Sequence, residues 1–355
     1  MIYRFKNSIM VLGILWSVAA LGQSTNFVHF DTEDGLPQSQ VQTIQQDDDG
    51  NLWIGTMAGL AKYNGQKFTN FSKQDSLAED WITTSYKDRS GNIWLGHWGG
   101  GVSKYIQKKQ TFINLDFDII SQFNPITAII EDSDGNFWFG TDGGGVYRYD
   151  IQNNTVYVVT SDEELSGDYV SSICEDNVGN IWIGTDNGIT IYDKTQAINA
   201  EEAYTYLNIE KGLIVDNITV VQSVLDNEIW IGTRGSGIVI IKITEGISIN
   251  ELETIHDAVS TIITTEDGLS SNGINSIFED DNNTIWIGTS TGGVTKFIPD
   301  EGPRNNDDAL RNGTFKVLST PQGLNYHKVN VVLQDREGNY WIGTEVGLNR
   351  YRSDK

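Results

Sequence analysis

The chain has 355 residues, 38% of them hydrophobic and 20% charged, with 37 glycines, ten tryptophans and a formal net charge of −24. That length buries a sizeable core, and the glycine and tryptophan content favours many short strands joined by tight turns. The excess Asp and Glu are spread along the chain, which repels phosphate backbones and anionic lipid headgroups and argues against nucleic-acid and membrane-surface partners.

Arg4 and Lys6 precede an uncharged apolar run from Ile9 to Leu21, and Ala20-Leu21-Gly22 places small residues at the two positions a signal peptidase reads. Residues 1–22 are read as a secretory signal peptide, with Gln23 opening a mature chain that forms one domain over 23–355. The run is short for a transmembrane helix, no cysteine follows it for lipid anchoring, and no second apolar span is read, so the expectation is a periplasmic or secreted protein with no membrane insertion after cleavage, an uncleaved anchor being the alternative. Cys174 is the only cysteine. Packing alone must therefore hold the fold, and its place in Val170-Ser171-Ser172-Ile173-Cys174 predicts a buried, inert thiol.

From Gly50 onward one phrase recurs, G-N-x-W-I-G-T followed shortly by a glycine and an aromatic residue. Its tryptophans are Trp53, Trp94, Trp138, Trp182, Trp230, Trp286 and Trp341, spaced by 41, 44, 44, 48, 56 and 55 residues. The fifth copy is degenerate at its start, Asn227-Glu228-Ile229-Trp230. Periods of this size match four-stranded propeller blades. In the first, Val41 to Ile44 alternates as an inner strand, and Asp47-Asp48-Asp49-Gly50-Asn51 is turn chemistry. Leu52 to Thr56 is the second strand, Gly59 to Tyr63 the third, Asn64-Gly65 a hairpin turn, and Lys67 to Phe71 the outermost strand. The tryptophan is expected to wedge between blades, and Gly55 and its equivalents to permit close approach. The last period lacks a fourth strand, while Asn26 to Phe30 reads as an orphan outer strand. The prediction is an all-β, seven-bladed β-propeller whose N-terminal strand closes the ring. Insertions at about Thr244 to Ser260 and Pro299 to Asn312 fall between third and fourth strands, on the face of the D-x-x-G-N turns.

The phrase D-x-x-G-N-x-W-I-G-T-x-x-G-L-x-x-Y, repeated over nearly the whole mature chain, resembles the two-component regulator propeller repeat. The resemblance implies the periplasmic sensor portion of a hybrid two-component system, many of which are thought to recognise glycan fragments. Full-length members continue into a transmembrane helix, an immunoglobulin-like connector and kinase and receiver segments. None of these is read after the seventh repeat, so the resemblance implies the sensing fold, with a membrane histidine kinase or another periplasmic protein as the expected partner. The glycine-rich repeats also resemble, more weakly, the propeller of streptogramin lyases.

Ligands of propellers sit on the face where inner strands begin. In this strand order that face carries the loops joining second to third strands and the loops leading into each inner strand. The first set contributes His97, Trp98, Asp142, Asp186, Arg234 and Glu345, and His97 stands where the other six copies have threonine. The second contributes Trp81, Phe123, Tyr169, Asn217, Asn272, Tyr326 and His327. Aromatic rings that stack on pyranose faces, beside carboxylates and amides that address hydroxyls, point to a small polar ligand, an oligosaccharide foremost. Asp132-Ser133-Asp134-Gly135-Asn136 opens like a calcium loop, but no further acidic ligand follows nearby, and it is read as a turn. The four histidines form no paired motif, no G-x-S-x-G elbow or phosphate loop occurs, and no metal or cofactor is expected. The leading expectation is a non-catalytic ligand-binding sensor. The alternatives are a protein-interaction scaffold, and a lyase in which His97, His327 and Glu345 converge near the channel.

Overall fold

The structure is a computed structural model, and it describes residues 26–115, 124–162, 164–211, 213, 217–225, 227–242, 259–302, 304 and 312–352. Blade 1 shows how the repeat builds its unit. Val41–Gln46 is the inner strand, Leu52–Thr56 the second, Gly59–Tyr63 the third and Phe68–Phe71 the outer strand. Gly50 closes the first turn at φ 88°, a backbone region that suits glycine, and its N–H bonds the Asp47 carbonyl at 3.0 Å. The second strand is buried at every position because neighbouring blades cover both of its faces, whereas the outer strand stays half open to water.

Seven four-stranded antiparallel sheets repeat this order. The seventh is built from Val329–Gln334, Tyr340–Thr344 and Gly347–Tyr351, and Phe27–Phe30 supplies its outer strand. Phe27 lies opposite Tyr351 and Phe30 opposite Leu348. Each inner strand packs on the next, and Val329–Gln334 packs on Val41–Gln46, so the sheets close into the seven-bladed propeller that the repeats predict. The long connections of blades 5 and 6 run from Ile238–Lys242 to Val259–Ile263 and from Val294–Pro299 to Gly313–Leu318, third strand to outer strand. The body of the first insertion, 243–258, and the signal peptide read at 1–22 lie outside the described residues.

The recurring tryptophans do wedge between blades. Trp53 meets Tyr105 of blade 2 at 4.4 Å between centroids, Trp94 meets Phe137 of blade 3 at 4.0 Å, and Trp286 meets Tyr340 of blade 7 at 3.9 Å. Trp341 meets Tyr63 of blade 1 at 5.8 Å and completes the circle. Blade 5 offers no ring at this place, and Trp182 is buried there against Ile229, Ile231 and Val239.

Each indole also has a polar anchor. Its N–H donates to the aspartate six residues earlier, from Asp47 in blade 1 to Asp335 in blade 7, at 2.7–2.9 Å in six blades. The same carboxylate accepts the backbone N–H four residues on, as Asn51 shows with Asp47 at 2.8 Å. Burial pushes the Asp88 and Asp280 carboxyls up, but the side-chain and backbone donors together hold both below the ordinary aspartate value. Asp132 is filled in the same way by Asp134, Asn136 and Trp138, so the turn has the geometry the sequence suggests. Blade 5 lacks this aspartate. Glu228 replaces it from the second strand, accepting from Trp230 Nε1 at 3.0 Å, and Arg304 from the blade 6 insertion pairs with it at 2.6 Å.

Two further devices join neighbouring blades. A Cβ on Gly140 would lie 2.6 Å from Val170 Cγ1, and one on Gly343 would lie 2.5 Å from Val41 Cγ1. The glycine of W-I-G-T is therefore needed because the next blade's inner strand lies against it. Gly140→Ala is expected to cost about 1–3 kcal/mol through overpacking, read as a lowered urea midpoint; an unchanged midpoint would refute the contact. The inner strands are bulged after their first residue. The side chain at the bulge reaches the next blade's first inner carbonyl, Thr127 to Val170 at 2.6 Å and Asn330 to Val41 at 2.9 Å. Cys174 is buried beside Trp182 and Val221, and burial pushes its thiol pKa far up, as an inert core cysteine requires.

Candidate ligand-binding face

The threonine of each G-T pair shapes the loop that follows it. Thr56, Thr141, Thr185, Thr233, Thr289 and Thr344 donate to the carbonyl of the loop's closing glycine at 2.8–3.0 Å. The next residue's N–H then bonds the carbonyl of the residue before the same blade's inner strand. Trp98 bonds Trp81, Asp142 bonds Pro125, Asp186 bonds Tyr169, Arg234 bonds Asn217 and Ser290 bonds Gly273, at 2.9–3.4 Å. In blades 2 to 6 this bond sets one residue from each of the two loops side by side at the rim. Lys328 and Glu345 occupy these two positions in blade 7 and form an ion pair at 2.5 Å. Adjacent blades are linked as well, since Gly143 and Gly145 both donate to the Asp168 carbonyl.

The predicted residues fall on this rim as blade-by-blade pairs, without hydrogen bonds or ring contacts between the pairs of blades 2, 4 and 7 among the described residues. Trp98 is 46% exposed and stacks on Trp81, with centroids 4.5 Å apart and planes 13° apart. Tyr169 is 56% exposed and lies beside Gly143. Asp186 is exposed and Asp142 half-buried. Exposed Arg234 donates from Nε to Asn217 Oδ1 at 3.3 Å. Tyr326 and exposed His327 meet with ring centroids 4.1 Å apart and planes tilted by 34°. Asn272 has a local role, its Oδ1 accepting from the Thr265 N–H at 2.8 Å. Phe123 lies outside the described residues. Lys328 was missed by the sequence reading; its place directly before Val329, matching Trp81 before Ile82, was the available signal.

The Two component regulator propeller family matches residues 35–58, 121–143, 164–187, 268–291 and 323–346. Each match covers one blade from its lead-in loop through its second-to-third loop, the stretch that carries a rim pair. Five of the seven blades carry the two-component regulator propeller repeat. The two blades that are not matched, 2 and 5, are those where His97 and Glu228 depart from the repeat. Among solved structures, the extracellular domain described as that of the hybrid two component system BT3049 from B. thetaiotaomicron is 23% identical, with a TM-score of 0.75 over 93% of this chain and 41% of that one. PorZ of Porphyromonas gingivalis, a bacterial surface component of the type-IX secretion system, is 16% identical with a TM-score of 0.67, over 92% and 48% of the two chains. A streptogramin B lyase is 14% identical with a TM-score of 0.66, over 92% and 97%. At these identities the likeness is one of fold, and the chain spans about two fifths of the first structure's length. No curated relative matches it.

The regulator repeat also explains His97, and corrects the expectation that it faces a ligand. In blades 4, 6 and 7 the G-T threonine meets the residue after the lead-in leucine: Thr185 with Ser166 at 2.9 Å, Thr289 with Ser270 at 3.3 Å, Thr344 with Asn325 at 2.9 Å. In blade 2 that residue is Ala78, and the His97 ring takes the space of both side chains. His97 is fully buried, with Nε2 2.8 Å from Ser103 Oγ. Ser103 donates to Asn114 Oδ1 and accepts from the Ala78 N–H, which assigns the Nε2 proton to His97. His97 braces the floor beneath Trp98. Nor does the structure assemble the lyase-like trio, since His97 is sealed inside blade 2 and Glu345 is held by Lys328.

Burial pushes the His97 pKa down to about 4, against the Glu79 backbone and the Glu79 and Asp80 carboxylates, which favour the charged ring. The unfolded chain protonates this group near 6.5 and the folded chain near 4, so stability falls as pH drops between those values and levels off below them. The loss is about 3 kcal/mol. The double variant Ala78→Ser, His97→Thr is expected to fold and to lose less stability than wild type between pH 7.5 and 4.5. Equal losses, by urea unfolding at both pH values, would sink this assignment.

A polar cavity of about 550 Å³ follows the inner strands of blades 2 to 5, lined among others by Thr84, Tyr86, Thr127, Glu131, Ser171 and Glu175. Its carboxylates are already engaged: Glu131 accepts from the Arg89 N–H, and Glu175 from Ser133 and Lys194. Among the described residues no cluster of three or more His, Cys, Asp or Glu is placed to hold a metal, and no helix is long and apolar enough to cross a membrane.

Proposed function

We propose that this propeller is the non-catalytic, ligand-sensing module of an extracytoplasmic signalling system, and that it binds an oligosaccharide or other small polar ligand on the rim. It works in the periplasm or outside the cell and passes its signal to a membrane histidine kinase or another periplasmic protein. The observation that supports this reading is the Trp81–Trp98 stack, which holds a large ring half exposed on the face where the lead-in loops converge. A ring already immobilised by its neighbour loses little freedom when a ligand stacks on it. The rim pairs of blades 3 and 4 offer the Asp142 and Asp186 carboxylates for hydroxyl groups. The likeness to an extracellular domain of a hybrid two-component system agrees with the reading.

A glycan array followed by calorimetry on the best oligosaccharide tests it. Trp98→Ala is expected to weaken binding at least about tenfold while the unfolding midpoint stays within about 0.5 kcal/mol of wild type, as for an exposed side chain. A folded sample that gives no heat with any oligosaccharide pool would end this reading.

A further inference from the structure

We infer that the ligand of this face is a basic oligosaccharide, with free amino groups on its sugar rings, seated across blades 2 to 4; this rests on the reading of the rim as a sugar-binding face. Two exposed rings of the rim, Trp98 on blade 2 and Tyr169 on blade 4, belong to the blades on either side of the blade 3 loop Asp142-Gly143-Gly144-Gly145. That loop is a fixed floor. Gly143 and Gly145 adopt φ of 97° and 72°, both donate to the Asp168 carbonyl, and a Cβ on Gly143 would touch the Tyr169 ring at 3.4 Å. Between the two aromatic residues the blade 3 loop thus presents glycines, which carry no side chain.

Charge selects the occupant. Asp142 and Asp186 belong to this sector's rim pairs, and neither forms an ion pair among the described residues, whose recorded pairs lie elsewhere. The lead-in loop's Lys73 is bound to Glu79 at 2.9 Å. Arg234 and Lys328 belong to blades 5 and 7, and His97 is buried. Acidic groups also crowd the loop before Tyr169, with Asp162, Glu164 and Asp168. A uronate or sulfate entering here meets repulsion with no cation to receive it. An ammonium meets carboxylates and the electron-rich indole face, while its pyranose ring stacks on the side of Trp98 that Trp81 leaves open.

Calorimetry at pH 6 and low salt, with tetramers of glucosamine, N-acetylglucosamine and galacturonic acid, decides the matter. The glucosamine tetramer is expected to bind at least about tenfold tighter than its acetylated counterpart, and the galacturonic acid tetramer to give no heat. Raising salt from about 20 to about 500 mM is expected to weaken the glucosamine tetramer several-fold. Trp98→Ala and the pair Asp142→Asn, Asp186→Asn should each reduce its affinity at least about tenfold, and Arg234→Ala should not. Equal or tighter binding of the acetylated or acidic tetramer overturns the charge inference and leaves the sugar-binding rim standing. Silence from all three tetramers, together with a blank glycan array, overturns both. Tetralysine binding as tightly as the glucosamine tetramer, and unaffected by Trp98→Ala, would make this a site for basic peptides and overturn the inference as well.

Discussion

Removal of residues 26–30 is expected to destabilise the propeller by more than about 5 kcal/mol and to make it self-associate. Phe30 sits between Trp341, Tyr63 and Phe68, at 5.7, 5.4 and 6.0 Å, and Phe27 packs on Tyr351 at 4.8 Å. Losing a buried phenylalanine ring typically costs about 3–5 kcal/mol, and here half-buried Phe30 is lost together with buried Phe27. His29 adds a contact of Nε2 with the Gly323 carbonyl at 2.7 Å, tying the strand to the loop that leads into blade 7. The third strand of blade 7 would become an open edge, with its N–H and C=O groups free to pair with another chain. Urea unfolding and size-exclusion chromatography read the two effects. Phe30→Ala, which keeps the strand, should show part of the destabilisation without the association. A shortened protein that stays monomeric with an unchanged midpoint would mean that the ring does not depend on this strand.

Arg304→Ala is expected to cost about 3–5 kcal/mol, far more than an ordinary loop substitution, because it strands a buried carboxylate. Glu228 has no exposed surface, and besides Trp230 it is met by Arg304 Nε at 2.6 Å and Nη2 at 3.2 Å. The guanidinium also lies over the Phe297 ring at 5.6 Å and donates to the Asn312 carbonyl at 3.2 Å. Glu228→Gln removes the charge but keeps an acceptor for the Trp230 indole. Combined with Arg304→Ala it should recover most of the loss, and the double-mutant cycle should show a coupling of at least about 2 kcal/mol. A single Arg304→Ala variant within about 0.5 kcal/mol of wild type would show that the insertion does not buttress blade 5.

Periodicity made the architecture legible before any coordinates. Seven tryptophans at near-constant spacing, turn residues at fixed offsets and one orphan strand leave a closed ring as the arrangement that pairs every strand. The inert cysteine and the wedge position of the tryptophans follow from local hydrophobic pattern alone, as does the need for glycine where blades touch. The wedges and the glycine contacts repeat with the chain, so short-range sequence carries them. The rim does not repeat, and there the sequence was a poorer guide. It marked His97 as exceptional because six siblings are threonine, but the compensating change is Ala78, nineteen residues away, and only the folded blade shows that one ring fills the space of two side chains. It passed over Lys328, whose meaning comes from standing across from Glu345. It could not join Arg304 to Glu228, 76 residues apart and in different blades. In each case the deciding quantity is a distance between residues remote along the chain, set by how blades pack, and no local pattern encodes such a distance.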